Sequence, residues 1–225
     1  MSSVFRHVRQ SPTLARVLPF VLFLGITVIG SEWGGAARFW LYVVKSIFGA
    51  WALWALASVL KEMRWAFSWE AVVVGVAVFG LWVGLDGFYP ALGGGSDGTE
   101  GWNPFVAFEG QVALAWFFVI VRILGSTLVV PPLEEVFYRS FVYRYLVDGD
   151  FEKIPLNAFR WMPFLITSVA FGLAHFEWLP GILCGLLYQG LVIRKGRLGD
   201  AMTAHAITNF LLGVYVVARG AYHFW

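Results

Sequence analysis

Apolar segments recur along the whole chain and are separated by short polar connections. A helix needs roughly 20 residues to cross the hydrocarbon core of a bilayer, and most of these segments reach that length. The pattern therefore predicts an all-α, polytopic membrane protein, a bundle of about eight transmembrane or membrane-embedded helices. We place these helices at residues 14–30, 39–60, 69–88, 110–130, 133–147, 161–179, 181–194 and 200–219.

Two of the predicted segments, 133–147 and 181–194, are short, and we expect them to be half-buried, tilted or re-entrant. The longest polar stretch, residues 93–104, is predicted to be a flexible connection. The sequence has no internal repeat and no interdomain linker, and its length suits one domain. We therefore expect residues 1–225 to form a single integral-membrane domain, with the chemically informative part at about 110–219.

Composition strengthens the membrane assignment. Hydrophobic residues make up 59% of the chain and charged residues 13%, whereas a typical soluble domain is about 25% charged. The net charge of +2 is too small to suggest a nucleic-acid partner. Cys184 is the single cysteine, which excludes a disulfide framework and a CxxC metal site.

The first apolar run, residues 17–29, follows several arginines and so resembles the start of a signal peptide. The GSEW stretch at 30–33 that ends the run is a poor cleavage site, and further apolar runs follow at once. We therefore expect this run to be a retained first membrane helix.

Lysine and arginine are enriched in cytoplasmic loops, so their positions predict the orientation. One set of basic residues places the N-terminus and the connection after the second helix in the cytoplasm: Arg6, Arg9, Arg16, Lys61 and Arg64. Two later groups also fit the cytoplasm: Arg144, Lys153 and Arg160, then Arg194, Lys195 and Arg197. With eight separate segments, both later groups are cytoplasmic only if segment 133–147 does not fully cross. The side on which the C-terminus lies therefore stays open.

Ionisable residues at membrane depth are costly, so they usually mark function or pair with each other. The densest cluster is EEVFYR at 134–139, which follows Pro131 and Pro132, a pair that fits the start of a helix. Glu135 and Arg139 are four residues apart, so they share a helix face and can pair. Glu134 points about 100° away from Glu135. Repulsion between adjacent carboxylates in a dry site favours a proton on one of them, which suits a general acid or base.

Two further motifs follow on separate apolar segments. Phe171 and His175 are one turn apart, as are His205 and Asn209, and the second pair can donate two hydrogen bonds from one face. Helix–helix hydrogen bonding would explain each motif taken alone. Three polar motifs on three apolar segments, however, predict one buried site. A glutamate that activates water, a histidine that helps to hold it, and a His/Asn pair for the oxyanion describe a peptide hydrolase.

The ordered set EExxxR, FxxxH and HxxxN resembles the CPBP intramembrane proteases, a family that includes the type II CAAX prenyl endopeptidase and bacterial Abi-type immunity proteins. The wider stretch 124–225, with YLVDGDFEKIPL and HAITNFLLGVYVVARG, resembles the bacterial CAAX prenyl protease-related subgroup. That subgroup occurs with exosortase/PEP-CTERM protein-sorting systems. The resemblance implies a multi-pass protein of the bacterial cytoplasmic membrane, with a membrane-anchored protein or peptide as substrate and a functional link to an exosortase system.

The resemblance also implies the division of labour. Glu134 matches the general base that activates water, and His175 matches the residue that helps to position that water. His205 and Asn209 match the oxyanion-stabilising pair. Glu135 and Arg139 match the structural acid and its partner, and Phe171 is a supporting residue in the second motif.

A metal is the main mechanistic alternative. Glu134, His175 and His205 could form a His2Glu zinc site with an open position. The sequence has no HExxH, in which two histidines one turn apart hold zinc from a single helix. We therefore expect no cofactor and favour a metal-free mechanism.

Two further functional classes stay open. A non-catalytic binding or immunity protein would keep this fold, although a binder has no need for two deep histidines beside Glu134. A small transporter or proton-coupled channel would also use buried Glu and His, but the lack of an inverted repeat disfavours it. Lys45 and Arg122 lie in mid-segment, and we expect them to contact a substrate carboxylate, to pair with an acid such as Glu70 or Asp86, or to snorkel.

Overall fold

The computed structural model describes residues 3–31, 35–90, 92 and 101–225. These residues form helices and connections without any strand, which confirms the predicted all-α class. The helices are α1 (Ser3–Gln10), α2 (Pro12–Ser31), α3 (Ala37–Leu56), α4 (Trp69–Gly84), α5 (Pro104–Ala107), α6 (Val112–Val147), α7 (Trp161–Leu173), α8 (Trp178–Lys195) and α9 (Gly199–Arg219). Of these, α2, α3, α6 and α9 are long and apolar enough to cross a membrane, and α4 and α7 are shorter apolar helices. The chain is therefore a polytopic membrane bundle.

The largest departure from the prediction is α6. Segments 110–130 and 133–147 are one continuous helix of 36 residues, so Pro131 and Pro132 do not begin a helix. Two π-helical stretches, Gly125–Val129 and Val136–Val142, interrupt its α-helical hydrogen bonding. The first stretch ends one residue before the prolines, which lack the N–H that continues the hydrogen-bond ladder of a helix. The helix therefore accommodates both prolines where its ladder is already altered.

The helix ends were predicted less well than the helices themselves. α3 ends at Leu56 and α4 at Gly84, several residues before the predicted positions, and α1 and α5 were not predicted. The prediction of a single helix over 161–179 is wrong, because α7 ends at Leu173 and α8 begins at Trp178. His175 therefore lies in a turn rather than within a helix. Its ring Nδ1 lies 2.8 Å from the carbonyl oxygen of Phe171, and this contact caps the end of α7.

Contacts between the connections define two ends of the bundle. At one end, Arg16 Nε donates to Glu62 Oε1 over 2.8 Å, and Lys195 Nζ donates to a Glu70 carboxylate oxygen over 2.9 Å. At the other end, Trp178 Nε1 donates to the carbonyl of Pro90 over 2.9 Å. We call the first the basic end because it holds Arg9, Arg16, Lys61, Arg64, Arg144, Lys153, Arg160, Arg194, Lys195 and Arg197.

The continuous α6 changes the argument from the charge pattern. Because residues 112–147 form one helix, long and apolar enough to cross a membrane once, both later basic groups lie at the basic end without a re-entrant segment. The C-terminal turn Tyr222–Phe224 lies at the opposite end, where His223 Nε2 is 3.0 Å from Asp86 Oδ2. Residues 101–104 of the predicted polar stretch 93–104 also lie at that end, where Trp102 packs against Trp225. Residues 93–100 of that stretch lie outside the described part of the chain, as does the predicted non-cleaved junction at 32–33.

Small residues bring the site-bearing helices close together. A Cβ atom on Gly75 of α4 would lie 2.6 Å from the carbonyl oxygen of Ala204 on α9. A Cβ atom on Gly185 of α8 would lie 2.8 Å from Cα of Ser168 on α7. Glycine therefore permits the close backbone approach that membrane helices use for packing, and α9 and α7 are held against their neighbours.

Candidate active site

One imidazole lies beside both carboxylates of the EE pair. His205 on α9 places Nδ1 3.1 Å from Glu135 Oε1 and Nε2 4.0 Å from Glu134 Oε2. Glu135 is fully buried and His205 is 5% exposed. Although Glu134 and Glu135 project in different directions from α6, the edge of a single ring reaches both. The first and third sequence motifs therefore meet in the structure.

Glu135 is also the partner of Arg139. The Arg139 Nε atom lies 3.2 Å from Glu135 Oε2, one helical turn along α6, and both side chains are buried. The guanidinium carbon lies 4.2 Å from the centre of the Phe171 ring, a cation–π contact. Phe171 in turn lies 4.8 Å from the His175 ring and 6.1 Å from the His205 ring. Phe171 thus packs among the polar residues of all three motifs.

His175 lies at the edge of this group. Its Nδ1 is held by the Phe171 carbonyl, and its ring makes an edge contact with Trp82 of α4 at 5.5 Å. With Nδ1–H donated to a carbonyl, Nε2 is the free ring nitrogen. Among the described contacts, His175 has no hydrogen bond or ion pair with Glu134, Glu135, His205 or Asn209. His175 adjoins the other site residues by packing on the ring of Phe171, which also contacts His205.

Asn209 lies one turn beyond His205, and its Nδ2 donates to the carbonyl of Ser126 over 2.8 Å. Ser126 belongs to the first π-helical stretch of α6, where the preceding carbonyl, that of Gly125, accepts from the N–H of Val130 five residues on. The residue that would continue this pattern onto Ser126 is Pro131, which has no N–H. The Ser126 carbonyl is therefore available to Asn209, which keeps one amide N–H for another acceptor.

Sequence reasoning missed a buried tyrosine that supports His205. The Tyr188 ring of α8 lies 5.2 Å from the His205 ring, and its hydroxyl is 2.7 Å from Thr208 Oγ1. Thr208 Oγ1 also donates to the Gly75 carbonyl over 2.8 Å, so the tyrosine is the donor of the pair. Two features of the sequence could have indicated this support. Thr208 lies between His205 and Asn209, and Tyr188 is an aromatic residue with a hydroxyl in an apolar segment.

Several polar atoms of the site have no hydrogen-bond partner among the described residues. They are Glu134 Oε2, Glu135 Oε2 and the three guanidinium nitrogens of Arg139. The Arg139–Glu135 contact at 3.2 Å is thus an ion pair without hydrogen-bond geometry. Buried polar atoms are nearly always paired with protein or water. Glu134 Oε2 is therefore available to a water molecule or to a substrate group beside His205.

An apolar groove of about 650 Å³ runs between α3 and α6. Its wall includes Pro132, two residues before Glu134, and Met202, one turn before His205. Ser46 is the one residue with a polar side-chain hydroxyl in a lining otherwise made of apolar side chains and Gly125. The groove thus places an apolar cavity close to Glu134 and His205.

The site helix is anchored at the basic end. Ser140, next to Arg139, donates to Glu62 Oε1 over 2.5 Å, and Arg16 donates to the same oxygen. Burial alone would raise the pKa of Glu62, but the Ser140 hydroxyl and the Arg16 guanidinium outweigh it and hold that pKa below its ordinary value. Beside His175, burial raises the pKa of Glu177, and the charge of Asp86 acts in the same direction.

The structure does not gather the candidate zinc ligands. Within the described ranges, no three His, Cys, Asp or Glu side chains are close enough to hold a metal ion together. Glu134 and His205 approach each other, whereas His175 is directed to the Phe171 carbonyl. The expected pairing of Lys45 or Arg122 with Glu70 or Asp86 is wrong. Glu70 pairs with Lys195 instead, and Asp86 pairs with His223.

Comparison with known proteins gives one match, to part of the chain. Residues 115–211 match the family model described as type II CAAX prenyl endopeptidase Rce1-like. The matched stretch is somewhat less than half of the 225-residue chain, and it contains every residue of the three motifs. No match was found among curated proteins or among solved structures. The family match supports the resemblance to the CPBP proteases and does not extend to the exosortase-associated subgroup.

Proposed function

We propose, from this match and the geometry of the site, that the chain is a CPBP-type intramembrane endopeptidase. The observation that carries the proposal is the approach of His205 to both Glu134 and Glu135. The two carboxylates and the imidazole come from helices far apart in sequence and meet within the membrane bundle. A catalytic carboxylate with a free oxygen, next to a histidine, is what activation of water requires.

In the proposed reaction, Glu134 Oε2 accepts a proton from a water molecule, and the resulting hydroxide attacks the carbonyl carbon of the scissile peptide bond. His175 Nε2 helps to position the water. His205 Nε2 and the remaining Asn209 N–H donate to the oxyanion, with Glu135 as the counter-charge at His205 Nδ1. As the tetrahedral intermediate collapses, the C–N bond breaks and Glu134 returns the proton to the leaving amine.

The substrate class follows from the position of the site. A membrane-anchored protein or peptide can approach laterally, and the apolar groove between α3 and α6 offers a path from the bilayer. We propose a membrane-proximal cleavage in the bacterial cytoplasmic membrane, with the basic end in the cytoplasm. The likeness of residues 124–225 to the exosortase-associated subgroup supports a role beside an exosortase system. We propose no cofactor and no nucleic-acid partner.

The test is a quantitative comparison of protein termini in the native host, with wild type, Glu134→Gln and Glu109→Gln at matched expression. Glu109 is an exposed acid outside the site and serves as the control. We expect termini that are present in wild type and in Glu109→Gln and are reduced at least ~100-fold in Glu134→Gln, the low end for loss of a general base. Identical termini in all three strains would contradict proteolysis and favour a binding or immunity role.

A further inference from the structure

His175 lies two residues beyond the end of α7, in the turn that leads to α8. Its Nδ1 is 2.8 Å from the Phe171 carbonyl oxygen. This single hydrogen bond fixes one atom of the ring and leaves the orientation of the ring plane open. A ring that presents Nε2 to a water molecule must keep one orientation, because misplacement on the ångström scale slows a reaction. Other contacts of the imidazole therefore set its orientation.

Two aromatic rings confine the His175 imidazole. The Phe171 ring lies 4.8 Å away with its plane tilted by 41°, and the Trp82 ring of α4 lies 5.5 Å away at 78°, an edge contact. Edge-to-face packing is a favoured geometry for aromatic pairs. Phe171 belongs to the helix that His175 caps, so Trp82 is the one ring among the described residues that reaches the imidazole from another helix. Trp82 is 8% exposed, so packing holds the indole itself.

The connection that follows α4 is tied to the same turn. The backbone N–H of Leu92 donates to the carbonyl of Phe176 over 3.0 Å. Trp178 Nε1 donates to the carbonyl of Pro90 over 2.9 Å. Phe176 and Trp178 are the first and third residues after His175. The end of α4 and the turn are therefore docked on each other by backbone groups as well as by the two rings.

We propose that Trp82 is a positioning residue, which holds the His175 imidazole in the orientation that presents Nε2 to the reacting water. Trp82 acts through His175 and not on the substrate. The edge contact requires an aromatic ring at position 82, and apolar bulk alone does not supply it. This inference rests on the proposed function, and it extends the site to α4, outside the matched residues 115–211.

Nitrogen NMR of the purified full-length protein in detergent, with isotope-labelled histidine, tests the proposal without a substrate. The His175 signals are assigned by their loss in His175→Gln. At one fixed pH where the ring is neutral, wild type should show a single tautomer with its proton on Nδ1, because the Phe171 carbonyl accepts that proton. In Trp82→Leu we expect averaged nitrogen signals from a ring that changes orientation. Trp82→Phe keeps an aromatic ring and should restore the wild-type signals.

Trp54→Leu is the matched control. Trp54 of α3 is 78% exposed, and none of the ring contacts or hydrogen bonds of His175 involves it. We expect wild-type His175 signals in this variant. A single tautomer retained in Trp82→Leu, or equal averaging in Trp54→Leu, would overturn the proposal. If Trp82→Leu does not give a monodisperse elution profile, Trp82→Met replaces it.

The same variants in the host distinguish this inference from the proposed function. At matched expression, Trp82→Leu should reduce the cleaved termini roughly 10-fold, less than the ~100-fold that a misplacement of about 1 Å can cost. Trp82→Phe should recover cleavage, and Trp54→Leu should leave it unchanged. Averaged signals without any cleavage in wild type would leave the Trp82–His175 relationship intact and contradict the protease. Cleavage that is lost in Glu134→Gln but proceeds equally in Trp82→Leu would contradict the role of Trp82 alone.

Discussion

The amide of Asn209 donates to the backbone carbonyl of Ser126 across 2.8 Å, from α9 to the first π-helical stretch of α6. This bond links the last residue of the third motif to a point two turns before Glu134. It depends on a carbonyl that Pro131 leaves without an intrahelical donor. Pro131 is therefore part of the architecture of the site, although it touches no reacting group.

Pro131→Ala should weaken activity without weakening the fold. The substitution restores an N–H that competes with Asn209 for the carbonyls of the π-helical stretch. We expect a roughly 10-fold loss of cleavage, less than the ~100-fold for removing an oxyanion donor outright, because Asn209 is displaced and not removed. The melting temperature should be unchanged or higher, because the helix gains a hydrogen bond. Pro19→Ala, at a proline inside α2 and outside the groove, is the control and should cleave within about 2-fold of wild type. Equal losses in both variants would contradict the role of Pro131.

The Tyr188–Thr208 pair should show an asymmetric stability cost. Thr208→Val leaves the buried Tyr188 hydroxyl with only the sulfur of Cys184, a weak acceptor, which costs about 1–3 kcal/mol. Tyr188→Phe removes the donor but leaves Thr208 bonded to the Gly75 carbonyl, so we expect about 1 kcal/mol. Chemical unfolding in detergent measures both values. A larger cost for Tyr188→Phe than for Thr208→Val would contradict the hydrogen-bond directions assigned here.

The basic end should lose stability in acid through Glu62. The folded protein holds the pKa of this carboxyl below its ordinary value of about 4.5, so its stabilising contribution is complete above that pH. The contribution falls as the pH decreases through the lower folded pKa. The melting temperature of wild type should therefore exceed that of Glu62→Gln at pH 6, and the difference should shrink steadily towards pH 3. A difference that does not depend on pH would contradict this assignment.

Chelation should not abolish cleavage. If Glu134 acts on water directly, dialysis against 1,10-phenanthroline should leave the rate of the purified protein within about 2-fold, whereas loss of a zinc that lowers the pKa of bound water would remove nearly all activity. Metal content measured by mass spectrometry on the same sample gives an independent reading. Recovery of activity on addition of Zn²⁺ alone would contradict the metal-free mechanism and favour a His2Glu site.

Hydropathy and charge were sufficient to predict the all-α class and the membrane location, because both follow from composition over long windows. The break at Pro131 was predicted wrongly, since proline usually ends a helix and a π-helical stretch leaves no signature in a single sequence. The i,i+4 spacing placed Glu135 beside Arg139, a purely local relationship. The contact of His205 with both glutamates, and the packing of Tyr188 on His205, depend on how separate helices dock.

The position of His175 shows the same limit. Its spacing from Phe171 suggested one helical face, yet the helix ends at Leu173 and the imidazole binds the Phe171 carbonyl instead. The same four-residue spacing fits a histidine that continues the helix and a histidine that caps its C-terminal end. The start of the next helix at Trp178, which the spacing does not predict, distinguishes the two.

A helix of 36 residues is about 54 Å long, whereas the hydrocarbon core is about 30 Å thick. α6 therefore tilts or projects from the bilayer, and the degree of tilt depends on membrane thickness. Glu134 lies on this helix, and its partner His205 lies on the shorter α9. If hydrophobic mismatch changes the tilt of α6 relative to α9, it also changes the distance between the two groups, so we expect the rate of the proposed cleavage to depend on the acyl-chain length of the surrounding lipid.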